Sequence, residues 1–254
     1  MFWGNFGVNL FVCPNKEVFL CLDPTFCSIL YLIEKVFLEK KDLYQWFDSL
    51  GWEVFPFQQE SWDAVLAGKS GIVNAPTGSG KTYSLLLPSI VKASNIQKAG
   101  VKVIWLTPLK ALSKEIYQAA QRAVEGLKLD WKVGVRTGDT SIQERKKHKS
   151  QPPDILITTP ESLHLLLTQK ENEEYFKHLT SLIVDEWHEL MGSKRGVQVQ
   201  LALSFLMNRT DTIAWGISAT IGNLSDAVDV LLGTMVKSDA RCLIRANIHK
   251  NVEV

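Results

Sequence analysis

Cysteine is scarce in this chain: four occur in 254 residues, and Cys13, Cys21 and Cys27 follow a C-x7-C-x5-C spacing with no C-x-x-C pair. That spacing suits neither a zinc knuckle nor a disulfide framework, so the thiols are expected to be reduced and the protein cytoplasmic. No run of about eighteen apolar residues is found, which leaves no candidate for a membrane-spanning helix. The opening stretch, Met1 to Val12, is apolar but lacks the basic region of a secretory signal. Charge of one sign is also in short supply, with 28 Lys and Arg against 27 Asp and Glu. A polyanion would therefore have to meet a local basic patch, because the net field offers it nothing. Repeats and low-complexity tracts are lacking too.

What is present is an alternation of short apolar runs with amphipathic helical stretches, the pattern of βαβ units around a parallel sheet. Candidate strands are Ile72 to Asn74, Val101 to Leu106, Lys132 to Val135, Ile155 to Thr158, Leu182 to Val184 and Ile213 to Ile217. Between the second and third, Leu112, Ile116, Ala120, Ala123 and Leu127 recur at helical spacing; between the last two, Val197, Leu201 and Phe205 do. The fold class expected is α/β, a mostly parallel sheet with helices on both faces. Residues 1–38 carry two apolar patches, around Phe2 to Phe11 and Phe26 to Ile33, and read as an N-terminal extension. Residues 39–235 read as the single large domain.

Two stretches carry chemistry. Ala75-Pro76-Thr77-Gly78-Ser79-Gly80-Lys81-Thr82 is a glycine-rich turn between a strand and a helix, where converging backbone N–H groups and the helix dipole favour a phosphate. Thr77, Gly78, Ser79 and Gly80 would form that cradle, Lys81 would reach the β- and γ-phosphates, and the Thr82 hydroxyl would bind Mg²⁺. The glycine usual at the first position is Ala75 here, which weakens the motif taken alone. Asp185-Glu186-Trp187-His188 follows the strand Leu182 to Val184, at the carboxyl end where such sheets place ligands. Asp185 would hold the Mg²⁺ shell and Glu186 would orient and deprotonate an attacking water. Singly, each has a plain alternative, a capped loop or a solvated acidic turn. Together, in this order and each behind its own strand, they describe an ATP site.

Further motifs lie at the same edge. Thr107-Pro108-Leu109-Lys110 and Thr158-Thr159-Pro160-Glu161 each follow a strand and begin a helix, offering hydroxyls and backbone donors to nucleic-acid phosphates without reading bases. Two proline-initiated helices are the plain alternative. Ser218-Ala219-Thr220 ends the Ile213 strand, near enough in the expected sheet to couple through His188 to the acids. Upstream, the amide of Gln58 could satisfy both edges of adenine.

Gln58, A-P-T-G-S-G-K-T, T-P-L-K-A-L, T-T-P-E-S-L, D-E-W-H and S-A-T, in this order, resemble the first motor domain of a superfamily 2 DEXH-box helicase. The runs Asp185 to Gln198 and Trp215 to Asn223 are closer still to the Lhr-type group, above all its ligase-associated DNA damage response members. The resemblance spans roughly residues 41 to 254. It implies a RecA-like P-loop domain, ATP and Mg²⁺ as cofactors, and 3′ to 5′ translocation on single-stranded DNA in repair beside a DNA ligase and a nuclease. Pro108, Lys110, Thr159, Pro160, Lys194 and Arg195 become candidate backbone contacts, Ser218 and Thr220 coupling residues, and His188 a member of the catalytic set.

Members of that group carry a second RecA-like domain with a Gln-x-x-Gly-Arg-x-x-Arg element, and no Gly-Arg pair occurs here. Residues 236–254 resemble the passage into it. The expectation is half a motor, binding Mg-ATP and hydrolysing it slowly. A non-catalytic module that holds ATP or single-stranded DNA for a partner chain is the alternative; a transport ATPase would need a Leu-Ser-Gly-Gly-Gln signature, and none occurs. Phosphate gripping does not tell DNA from RNA.

Overall fold

The computed structural model describes residues 38–219 and 222–247, with the backbone of residues 11–12 and 18–19. The chain divides into two compact units, residues 1–37 and 38–254. In the first, Phe11–Val12 pairs antiparallel with Val18–Phe19. The apolar patches expected from Phe2 to Ile33 otherwise lie outside the described residues.

In the second unit, α1 (Lys40–Ser49) and α2 (Pro56–Leu66) precede β1 (Ser70–Asn74) and α3 (Lys81–Ala93). Next come β2 (Val103–Leu106), α4 (Lys110–Gly126), β3 (Val133–Arg136), α5 (Ile142–Ser150), β4 (Ile155–Thr158), α6 (Pro160–Leu167) and α7 (Asn172–Phe176). β5 (Ser181–Val184), α8 (Trp187–Leu190), α9 (Lys194–Met207), β6 (Ile213–Ser218), α10 (Leu224–Leu232) and β7 (Arg241–Arg245) complete it. The seven strands pair in parallel in the order β3-β4-β2-β5-β6-β1-β7. Among the described residues no helix is long and apolar enough to cross a membrane.

The central strands are apolar on both sides because both sides are covered, as parallel sheets require. Val103 and Trp105 of β2 face one core, with α1 to α4, while Ile104 and Leu106 face the other, with α6 to α10. Each such fully buried side chain contributes roughly 1.5–3 kcal/mol of transfer free energy. Four tryptophans, Trp62, Trp105, Trp187 and Trp215, are wholly buried. Their indole N–H groups find Tyr83 O, Asp185 Oδ2, Ala227 O and Lys69 O, so the large rings enter the core without stranding a donor.

The structure departs from the sequence reading in several places, among them the start of β2, expected at Val101 and found at Val103. β7 was not among the expected strands; residues from 236 onward, read as a passage to a further domain, contribute it to this sheet beside β1. That pairing depends on Gly71, where a Cβ would lie 2.0 Å from Cys242 O. Of the stripe expected on α9, Phe205 packs partly against the core but the other two residues do not. Val197 and Leu201 are 53% and 56% exposed, and Val199, Ala202, Leu203 and Leu206 pack inward instead. The strand expected from Lys132 runs one residue later, from Val133 to Arg136.

Candidate nucleotide and nucleic-acid site

The carboxyl ends of β1, β6 and β5 stand side by side, and each carries one part of the site. Behind β1 the chain turns sharply through Gly78 and Gly80, with φ of 80° and 79°, before α3 begins at Lys81. Gly80 is doubly required, since a Cβ would also sit 2.7 Å from Gln58 Nε2. Ala75 is not among the residues with positive φ, and its N–H donates to Ser218 O at 3.0 Å. An alanine is therefore unstrained at that position, which removes the objection raised by the missing glycine. Ser79 closes the turn, its Oγ donating to Pro76 O at 2.7 Å, while Thr77 and Gly78 are exposed and Thr82 is partly so.

Behind β5 come the acids. Asp185 is 6% exposed, its Oδ2 accepting from Trp105 Nε1 at 3.2 Å and its Oδ1 from Glu186 N at 3.0 Å. Burial, and next the neighbouring Glu186 charge, push its carboxyl up to about 6, against the pull of those donors and of Lys81. Glu186 has φ 44° and ψ 48°, left-handed backbone that costs a non-glycine residue of order 1–3 kcal/mol and is held at functional sites. This bend aims the side chain back over β6.

The two halves meet there. Lys81 Nζ lies 3.4 Å from Glu186 Oε1, and His188 Nδ1 lies 3.0 Å from Ser218 Oγ at the end of β6. Glu186 Oε2 is buried without a hydrogen-bond partner; its 3.4 Å approach to His188 Nδ1 is a contact, because that nitrogen faces the Ser218 hydroxyl. Two acids at one strand end, one with an orphaned oxygen, form a hard-oxygen donor set of the kind Mg²⁺ favours. Among the described residues no group of three or more His, Cys, Asp or Glu gathers for a metal. Thr220 lies outside the described residues.

Other candidates sit differently from their expected roles. Gln58 is 2% exposed, its Oε1 accepting from Phe55 N at 2.9 Å and its Nε2 donating to Gly80 O at 3.1 Å. The oxygen caps the start of α2 and the nitrogen braces the phosphate turn, so both edges are engaged within the protein in this conformation. Thr159, 3% exposed, caps α6 by accepting from Ser162 N, and Pro108 and Pro160 are buried. Arg195 Nε donates to Glu161 Oε1 at 2.6 Å and Nη2 to Pro108 O at 2.7 Å, so its fork ties together the loops behind β2 and β4. Of the six expected backbone contacts, Lys110 and Lys194 present exposed ammonium groups, Lys110 paired with Asp139 at 2.8 Å. Trp105, the donor that holds Asp185, was missed by sequence reasoning; a strand tryptophan reads only as core.

Comparison with known proteins identifies relatives of the domain. The profile of the DEAD/DEAH box helicase family matches residues 55–227. The Lhr helicase/uracil glycosylase of Escherichia coli is 34% identical over 198 residues, covering 69% of this chain and 13% of that protein. The ATP-dependent helicase Lhr-Core of Methanothermobacter thermautotrophicus is 36% identical over 192 residues, covering 70% and 22%. A solved structure of Mycobacterium smegmatis helicase Lhr bound to ssDNA and AMP-PNP superposes with a TM-score of 0.72 at 32% identity, covering 79% of this chain and 27% of that one. The chain thus spans about a quarter or less of the length of these three proteins. With its parallel sheet, its glycine turn and its paired acids in this register, it belongs to the DEAD/DEAH box helicase family.

Proposed function

We propose that this chain is the ATP-binding half of an ATP-dependent helicase motor that moves along single-stranded DNA. The observation that carries the reading is the 3.4 Å approach of Lys81 Nζ to Glu186 Oε1 across the end of β6, which brings a phosphate-seeking ammonium and a base to one point. The similar Lhr helicase was solved with ssDNA and AMP-PNP, which supports both ligands. DNA as the track, 3′ to 5′ polarity and a role in repair beside a ligase and a nuclease rest on the likeness to that group.

In this reading the backbone N–H groups of residues 77 to 81 hold the phosphates, and Lys81 leaves Glu186 to neutralise them. Asp185 and Thr82 would hold Mg²⁺, which would supply charge neutralisation on the transferring phosphoryl group. Freed of Lys81, Glu186 accepts a proton from the attacking water. The His188 to Ser218 contact gives β6 a path by which the state of the acids reaches the strand at its centre.

No Gly-Arg pair occurs within these 254 residues, and an arginine finger is worth about 10³ to 10⁵ in rate. The test is ATP hydrolysis by the purified chain, alone, with single-stranded DNA, and with a second RecA-like domain from a relative. Slow hydrolysis that both additions raise is expected. Turnover above about one per second by the chain alone, or indifference to both additions, would remove the half-motor reading.

A further inference from the structure

β3 lies at the edge of the sheet and hydrogen-bonds to β4 alone. Along it runs a groove of about 790 Å³, walled by α4 on one side and α5 on the other. Lys110 stands at one end, at the carboxyl edge of the sheet, and Trp131 and Lys132, just ahead of β3, stand at the other. The groove therefore descends the length of the strand from the candidate nucleic-acid edge toward the opposite side of the domain.

Its charge is one-sided once its acids are accounted for. Asp139 pairs with Lys110, and Glu144 is held in the capping box of Ser141 at the start of α5. Lys114, Lys132 and Lys147 are exposed and have no ion pair among the described residues. Two rings lie among them. Tyr117 is fixed by Gln121 Nε2, which donates to its hydroxyl at 2.8 Å, and the Trp131 indole is backed by Lys102 Nζ, 5.0 Å from the ring centroid. Lys102 is itself anchored to Asp154, so that backing is fixed in place. Free ammonium groups around held aromatic faces suit single-stranded nucleic acid, whose backbone follows the charge while bases stack without sequence preference. Tyr117 and Trp131 also pack partly against the core, and an acidic protein segment would match the lysines without using the ring surface they leave on the groove.

We infer that the groove beside β3 carries the continuation of the single strand beyond the sheet's carboxyl edge, holding a few further nucleotides irrespective of sequence. This rests on the reading of the chain as a single-strand translocase, and Lys110 is the point at which the two surfaces join.

The experiment measures binding of the chain to oligothymidylates of increasing length by fluorescence anisotropy, across a series of salt concentrations. Affinity is expected to rise once the oligonucleotide outgrows the upper edge. The triple variant Lys114→Ala, Lys132→Ala, Lys147→Ala should lower the slope of log K against log salt by about 2 for long oligonucleotides, at about 0.7 per lost contact. It should leave short ones unaffected. Tyr117→Ala and Trp131→Ala should each weaken long-oligonucleotide binding by roughly 5- to 150-fold. The lysines are exposed, so an unchanged melting midpoint of the triple variant certifies its fold even where Trp131→Ala fails to fold. Equal effects on short and long oligonucleotides, or none, overturn the groove alone. Lysine-dependent binding of polyglutamate without a lysine-dependent length effect overturns it in favour of an acidic protein partner. Absence of binding to any oligonucleotide overturns the translocase reading as well.

Discussion

Trp105 Nε1 donates to Asp185 Oδ2 at 3.2 Å, linking adjacent strands β2 and β5 beneath the paired acids. A wholly buried indole thereby holds a carboxylate whose own burial already drives it toward protonation. Trp105→Phe removes that donor and retains most of the ring. A hydrogen bond to a charged group is worth about 1.5–3 kcal/mol, and its loss raises the proton affinity of Asp185 further. The variant should lose stability in urea and need more Mg²⁺ for nucleotide binding. Trp187→Phe, which removes an N–H bonded to Ala227 O in the opposite core, should lose stability alone. An identical Mg²⁺ requirement in the two variants would show that Trp105 is merely packing.

Lys81 and Glu186 separate by titration calorimetry. Lys81→Ala deletes the ammonium proposed to neutralise the phosphates and should abolish measurable ATP binding. Glu186→Gln keeps the size and one acceptor oxygen, so ATP still binds while residual hydrolysis disappears. Retained ATP affinity in Lys81→Ala would contradict the assignment of the phosphate turn.

These residues were legible in the sequence because strand-end position is local information. A glycine-rich turn behind β1 and two acids behind β5 reach the same edge in any parallel sheet of this order, and Ser218 follows from β6 lying between them. Gln58 shows the limit. Its amide advertises a donor and an acceptor, but Phe55 N and Gly80 O claim both, and the second of these partners is 22 residues away. Arg195 is ambiguous in sequence, since a guanidinium that braces neighbouring segments reads like one that awaits phosphate. On α9 the pattern was ambiguous, because Val197 and Leu201 recur at helical spacing just as Val199 and Leu203 do, and only packing against α6 and the sheet selects the second face. β7, a five-residue edge strand with an arginine at each end, carries too little apolar signal to announce itself.

Gly80 and Gly78 share a positive φ but not a neighbour. Alanine at either position pays about 1–2 kcal/mol for left-handed backbone. At Gly80 it also meets Gln58 Nε2 at 2.7 Å, whereas nothing lies within 4 Å at Gly78. Urea midpoints should therefore fall further for Gly80→Ala, and adding Gln58→Ala should recover part of that difference. Strict additivity in the double variant would show that the two residues do not press on each other.

His148, half-buried on α5, is held below its ordinary 6.5 by burial and by the Arg136 and Lys147 charges, with Glu144 opposing. Below about pH 6.5 the unfolded chain takes up a proton that the folded chain resists. Stability therefore falls as pH drops through that value. His178 shifts in the same direction, so His148→Gln should flatten part of the loss seen below pH 6.5 and change little at pH 8. An unaltered pH profile of the urea midpoint would exclude His148 as a source of it.

Arg195 and its neighbour Lys194 give opposed expectations, although both stand at the start of α9. The Arg195 bonds to Glu161 and to Pro108 O hold the start of α6 and the loop behind β2 in register at the candidate nucleic-acid edge. Lys194 is exposed and has no ion pair among the described residues. Arg195→Ala should cost about 1 kcal/mol of stability, since the pair is partly screened by water. It should weaken single-strand binding at all salt concentrations alike, because it moves the loops and removes no phosphate contact. Lys194→Ala should leave stability unchanged and lower the salt slope of binding by about 0.7, the signature of one lost contact. If instead Arg195→Ala lowers the slope and Lys194→Ala does not, the guanidinium leaves Glu161 when a strand arrives, and the ion pair seen here belongs to the nucleic-acid-free state.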